Sequence, residues 1–164
     1  AQESNRRGGT ENVASIVGLG KAAELMAAKL DSGGHLKLRE ERDYFEATLQ
    51  ARLPGIRING HPEKRLTNTA NLAIEGIEAQ ALLIMLDEEG ICASAGSACH
   101  TGSLHASAIL TAMGFDRERA LGTARFSLST FITREELDRA IEVIVRSVEK
   151  LRAIRPPATV VRQA

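Results

Sequence analysis

The sequence predicts an α+β fold: a short, mostly antiparallel sheet covered by helices. Three observations carry that expectation. Short stretches alternating apolar and polar residues recur at 56–58, 69–74 and 124–128. Longer stretches between them carry apolar residues at helical spacing. Gly and Pro mark the joints, as in Pro54-Gly55, Gly60-His61-Pro62 and Pro156-Pro157.

The elements follow in order. Val13, Ile16, Val17 and Gly20 share one face of a helix starting near Glu11, and Leu25, Met26 and Leu30 continue its apolar surface. That is more apolar surface than one small domain hides from both sides, so part of it is expected to be exposed and to favour self-association. Asp31-Ser32-Gly33-Gly34 interrupts the helix, each Gly costing about 1 kcal/mol in a helix interior. A second helix is expected from about Leu36, with Leu38, Phe45, Leu49 and Leu53 inward, ending at Pro54-Gly55. Strands follow at 56–58 and 69–74, the latter with Ala70, Leu72 and Ile74 on one face. A helix over 78–89 ends at Gly90, a short strand is expected at 91–94, and 96–103 reads as a loop. A short helix over 107–113, closed by Gly114, precedes the strand at 124–128. The last helix opens with the capping box Thr133-x-x-Glu136. Its stripe of Leu137, Ile141, Ile144, Val145, Val148 and Leu151 is expected to pack on the strands around Ile58, Leu72 and Phe126.

Composition narrows the function classes. The 164 residues suit one compact domain or one piece of a larger protein, and 43% hydrophobic content is enough for a core. Lys+Arg and Asp+Glu are both 21, so no net field draws nucleic acid or an anionic membrane, and neither is expected as a partner. No apolar run reaches membrane-spanning length. Residues 1–10 are polar and basic, unlike a secretory signal. Two cysteines, Cys92 and Cys99, do not suggest a disulfide scaffold and point to a reducing, cytoplasmic setting. The opening stretch has no initiator Met and reads as a loop cut from something longer.

The informative segment is Ser94-Ala95-Gly96-Ser97-Ala98-Cys99-His100-Thr101-Gly102-Ser103. A cysteine among Gly, Ser and Thr suits a thiol that collects a group from one partner and delivers it to another, and His100 could help ionise it. The residues alone fit a free surface cysteine equally well. Cys92 at a strand position reads as core, since buried cysteine behaves as a small hydrophobe. Cys92, Cys99, His100 and His105 match no common zinc spacing, so no metal site is expected. Arg125 in an alternating strand wants an acid partner, which is either a surface carboxylate of the protein or a ligand. Gly8-Gly9-Thr10 before a helix start suits an anion, and is equally a plain capping sequence.

Gly90-Ile91-Cys92-Ala93-Ser94-Ala95-Gly96-Ser97-Ala98-Cys99 with Thr101-Gly102-Ser103-Leu104 resembles the active-cysteine loop of cysteine desulfurases. These are class V aminotransferase relatives, and the match is to their nitrogen-fixation and iron–sulfur-cluster assembly branch. Arg7-Gly8-Gly9-Thr10-Glu11-Asn12-Val13 and Ile16-Val17-Gly18-Leu19-Gly20-Lys21-Ala22 resemble the segment leading into that family's smaller domain. Arg65-Leu66-Thr67-Asn68-Thr69-Ala70-Asn71 and Ala124-Arg125-Phe126-Ser127-Leu128 resemble two more family segments, in the same order.

The resemblance implies the small, carboxyl-terminal domain of a fold-type I pyridoxal-phosphate enzyme. Residues 1–12 would be a loop from the large-domain junction, 13–155 the small α+β domain with its leading long helix, and 156–164 a tail. It implies conversion of L-cysteine to L-alanine with pyridoxal phosphate as cofactor. Cys99 would attack the substrate sulfur, hold it as a persulfide, and pass it to an iron–sulfur scaffold or other acceptor protein. Arg125 would bind the substrate carboxylate, with Asn71 as a lesser candidate whose strand position also fits a structural role. Thr10 would reach the cofactor phosphate of the other subunit of a homodimer.

The sequence departs from the family in one large respect. Its lysines are Lys21, Lys29, Lys37, Lys64 and Lys150, and none follows a His as the cofactor lysine of the family does. The chain alone is therefore expected not to bind the cofactor covalently or to turn over cysteine. Ser4-Asn5, Thr67, Ala106 and Ala108 also replace residues usual in the family. An alternative is a non-catalytic small domain that docks on a desulfurase or scaffold. A thiol redox protein is disfavoured by the lack of Cys-x-x-Cys.

Overall fold

The computed structural model describes residues 3–6, 8–95 and 106–154. The chain divides into two compact units, residues 1–35 and 36–164.

The first unit opens with Glu3–Asn5, a 3₁₀ turn whose residues hold positive φ. Helix α1 (Val13–Asp31) starts where Asn12 caps it, its side-chain oxygen accepting from the Ser15 N–H at 3.2 Å. It ends at Ser32, and Gly33 turns the chain with φ +74°. The apolar residues of α1 recur at helical spacing, yet none is buried: Val13, Ile16, Val17, Leu19, Leu25, Met26 and Leu30 are 51–73% exposed.

Helix α2 (Gly34–Arg52) leads into the second unit, and Gly34 is its first residue rather than part of the break. Gly55 at φ +76° then turns the chain into β1 (Ile56–Ile58). β1 pairs antiparallel with β2 (Thr69–Ile74), and β2 with β3 (Thr123–Ser127), in the order β1-β2-β3. Ile56 lies opposite Ile74, Ala70 opposite Phe126 and Leu72 opposite Ala124. The period-2 pattern puts all of these on one face. They share a core cluster with Phe45, Leu49 and Leu53, with Leu82 and Leu86 of α3 (Ala79–Glu88), and with the Leu137, Ile141, Ile144 and Val148 stripe of α6 (Arg134–Ile154). The expected α6 stripe is thus the buried one, each aliphatic side chain contributing about 1.5–3 kcal/mol. Phe45 meets Phe126 edge-on, centroids 5.2 Å apart.

Local chemistry sets the helix ends. After α3, Gly90 N–H bonds to Asp87 O and Ile91 N–H to Leu86 O, the paired bonds of a Schellman ending, with Gly90 at φ +73°. The α6 capping box closes as expected: Glu136 N–H donates to Thr133 Oγ1 at 3.2 Å, and Thr133 N–H donates to Glu136 Oε2 at 2.9 Å. Thr133→Ala should therefore cost about 1 kcal/mol, read as a shift in the urea midpoint at unchanged slope. An unchanged midpoint would show that the box contributes nothing.

Three expectations are corrected. Residues 91–94 form no strand, only a single bridge at Ser94. Cys92 is exposed rather than core, because the half-buried Ile91 and Ala93 on either side turn inward and leave it outward. An unexpected helix, α5 (Arg117–Leu121), follows α4 (Ala108–Ala112). The Asp116 side chain nucleates it by accepting from Arg119 N–H at 2.8 Å. Its run of charged residues gave no apolar period.

Candidate functional site

Helices α2, α3 and α6 cover one face of the sheet, and the other face is largely polar. Arg57 from β1, Thr69, Asn71 and Ala73 from β2, and Thr123, Arg125 and Ser127 from β3 alternate onto it. One row crosses the sheet: Asn59, Asn71, Arg125 and Ser94. Asn59 N–H donates to Asn71 O at 2.8 Å, just beyond the end of β1. Asn71 lies opposite Arg125. Arg125 and Ser94 exchange both main-chain bonds, at 2.7 and 3.0 Å. Arg125 thus spends its backbone groups on Ser94, and Asn71 and Arg125 form a non-hydrogen-bonded cross-strand pair, the kind whose side chains lie closest.

Arg125 is exposed, and among the described residues its guanidinium has neither a carboxylate nor a hydrogen-bond partner. Arg57 on the same face is likewise exposed and without a side-chain partner among the described residues, whereas Arg65 and Arg42 beside the sheet are engaged. Arg65 grips Glu46 in a fork, Nη1 to Oε1 at 2.6 Å and Nη2 to Oε2 at 2.5 Å. The Glu46 carboxylate raises the Arg65 pKa above its ordinary value, outweighing the burial that lowers it. Arg42 donates to Leu66 O at 2.6 Å and to Asp43. These bonds tie the segment before β2 to α2, and Leu128 N–H donating to Asn68 O at 2.8 Å holds its end. The start of β2, and so Asn71, is fixed from both sides.

Asn59 is 5% exposed and sits at the centre of a polar network. Its Nδ2 donates to Asn71 Oδ1 at 2.8 Å and to Thr123 Oγ1 at 3.2 Å. Its Oδ1 accepts from Arg119 Nε at 3.0 Å and Nη2 at 2.7 Å. Thr123 Oγ1 donates to Arg119 O at 2.7 Å, and the Arg119 guanidinium lies 3.8 Å over the Phe115 ring. Sequence reading missed Asn59, Thr123 and Arg119. The available signal was alternation: Asn59 falls on the same face as Arg57, two residues on.

Of the expected site residues, the structure brings Asn71 and Arg125 together. Thr10 lies in the other unit, exposed, just before the α1 cap. Cys99 lies outside the described residues, as do His100 and His105. The described chain runs toward Cys99 from Ser94 and Ala95, at the Arg125 end of the row. No cluster of three potential metal-ligating side chains occurs among the described residues. No described helix is long and apolar enough to cross a membrane.

The fold and row define a small α+β unit that presents an exposed cation, opposite an amide, on the polar sheet face. The family model for class-V aminotransferases matches residues 1–140, and the chain belongs to that family. It is 47% identical over 155 residues to the cysteine desulfurase of Trichormus azollae, covering 94% of this chain and 38% of that protein. It is 46% identical to the cysteine desulfurase NifS of Azotobacter vinelandii, with the same coverage. The NifS-like protein of Rickettsia africae superimposes with a TM-score of 0.73 at 33% identity, over 93% of this chain and 38% of that one. The chain thus spans 38% of the length of these curated relatives.

The residues present fit part of a pyridoxal-phosphate enzyme. Arg125 and Asn71 offer what an amino-acid carboxylate needs. Among the described residues of the second unit no lysine stands on that face: Lys37 lies on α2, Lys64 in the segment before β2 and Lys150 on α6.

Proposed function

We propose that this chain is the small-domain part of a pyridoxal-phosphate-dependent cysteine desulfurase serving iron–sulfur cluster assembly. One observation carries the reading: an exposed Arg125 on the polar sheet face, without a side-chain partner among the described residues and bonded through its backbone to the segment that leads to Cys99. The guanidinium receives the carboxylate of L-cysteine, with Asn71 beside it. The Cys99 thiolate attacks the substrate sulfur. A sulfur–sulfur bond forms as the substrate carbon–sulfur bond breaks, and the carbon keeps the electron pair and takes a proton, giving L-alanine. Bound pyridoxal phosphate supplies the electron sink for this chemistry, and Thr10 contributes a hydroxyl toward its phosphate across a homodimer. The persulfide then leaves for a scaffold or acceptor protein. Two cysteines in this stretch, Cys92 and Cys99, suit the reducing cytoplasm.

Two arms test this. In the protein extended to the length of its relatives, L-cysteine should leave one extra sulfur on the Cys99 peptide by non-reducing mass spectrometry. Cys99→Ser should keep cofactor absorbance and lose that sulfur. The chain alone, given pyridoxal phosphate and L-cysteine, should make no alanine above the free-cofactor background. Sulfur mapped to Cys92 instead, or alanine made by the chain alone and lost in Cys99→Ala, would overturn the reading.

A further inference from the structure

We propose that Arg119 is a positioning residue: acting through Asn59, it orients the Asn71 amide so that Asn71 and Arg125 together present only donors to a carboxylate. The inference rests on the carboxylate role proposed for Arg125.

The argument is one of donors and acceptors. A guanidinium has five N–H donors and no acceptor, and an amide has a distinct donor end and acceptor end. Arg119 Nε and Nη2 both point at one atom of the Asn59 amide, so that atom is oxygen. The Asn59 nitrogen is then turned toward Asn71 and Thr123. Thr123 is ready for it, because its hydroxyl proton goes to Arg119 O and leaves a lone pair to accept. Asn71 can meet an N–H donor only with Oδ1. Its own Nδ2 sits on the other branch of the amide, and among the described residues it has no partner. Asn71 stands between Asn59 on the β1 side and Arg125 on the β3 side. One guanidinium thus fixes two amides in series, and the last offers N–H groups beside a second guanidinium.

The alternative orientation would place Asn71 Oδ1 beside Arg125. That oxygen would repel a carboxylate and compete for the guanidinium. Arg119 is itself held by Phe115 and by its place on α5.

The relay predicts an outcome that a merely structural network does not. Asn59→Asp keeps the bond to Arg119 and makes it an ion pair, and Thr123 can turn its hydroxyl proton from Arg119 O to the carboxylate, so the fold should hold. A carboxylate cannot donate, however, so Asn71 must reverse and donate to Asp at 59. Side-chain amide exchange on the isotopically labelled full chain reads this directly. In the wild type the Asn59 amide protons should exchange about tenfold more slowly than those of Asn71. In Asn59→Asp the Asn71 protons should become protected to a similar degree. Arg119→Leu should erase the wild-type contrast and Arg119→Lys, still donor-only, should restore it.

Sodium acetate serves as the carboxylate probe, followed at the Asn71 amide and the Arg125 Nε. Asn59→Asp and Arg125→Ala should each weaken its effect about tenfold or more, the first while the chain remains folded. Protected Asn71 protons in the wild type, or an Asn59→Asp variant with wild-type exchange and acetate response, would overturn the relay. Acetate without effect on wild-type Asn71 and Arg125 would instead sink the carboxylate reading, with the exchange pattern still deciding the relay.

Discussion

Arg125→Ala, in the protein extended to the length of its relatives, is expected to lower kcat/KM for L-cysteine about a hundredfold. Losing charge-assisted hydrogen bonds to a carboxylate costs about 3 kcal/mol, and each 1.36 kcal/mol is about tenfold. Most of the loss should appear in KM, because the carboxylate is held equally before and during sulfur transfer. Arg125→Lys should recover only part of it, since a compact ammonium does not reproduce the planar fork. The fold should be indifferent. The side chain is exposed, and the two bonds to Ser94 come from the main chain, so the urea midpoint should move by no more than about 0.5 kcal/mol equivalent. Alanine production at wild-type KM would remove Arg125 from the site.

The largest stability effect should come from Glu46. Its carboxylate is almost fully buried, its side chain 3% exposed against 14% for that of Arg65, and it is held by both guanidinium nitrogens. Glu46→Met leaves a largely buried guanidinium without its fork partner, a loss of about 3–5 kcal/mol. Arg65→Met should cost as much, because it strands the carboxylate instead. Replacing both with Met should return most of the stability, since two charges then no longer need burying. Urea unfolding of the four proteins decides it. Additive single losses would show that the pair is not coupled. The effect is also local. Arg65 opens the segment that runs into β2, so the single variants should loosen the start of that strand, which holds Asn71.

How much of this was legible in the sequence differs by element. The capping box before α6, its stripe, and the alternation of β2 each carry their own local signal, and the structure matches them nearly residue for residue. α5 has no such signal, because Asp116-Arg117-Glu118-Arg119 lacks apolar spacing and its helix depends on the Asp116 cap. Cys92 was misread because a strand was expected where only one bridge forms, so its neighbours rather than a sheet decide its exposure. α1 was legible as a helix, and its expected exposure is seen at every apolar position. Within the site, Arg125 and Asn71 were picked as separate residues on separate strands. That they face each other depends on register, which local sequence does not encode. The link from Arg119 through Asn59 spans 60 positions and exists only once α5 docks beside the sheet.

The bridge between Ser94 and Arg125 also fixes a leash. An extended chain advances at most about 3.6 Å per residue, so Cys99, five residues on, is confined to within about 18 Å of that anchor. On the proposed function, a protein taking sulfur from Cys99 would have to bring its own acceptor atom inside that sphere, plus the reach of one side chain. Shortening the leash by deleting residues between Ala95 and Cys99 would shrink the sphere while leaving the bridge between Ser94 and Arg125 in place. On the proposed roles, carboxylate binding would then depend on sheet register and the reach of the thiol on chain length.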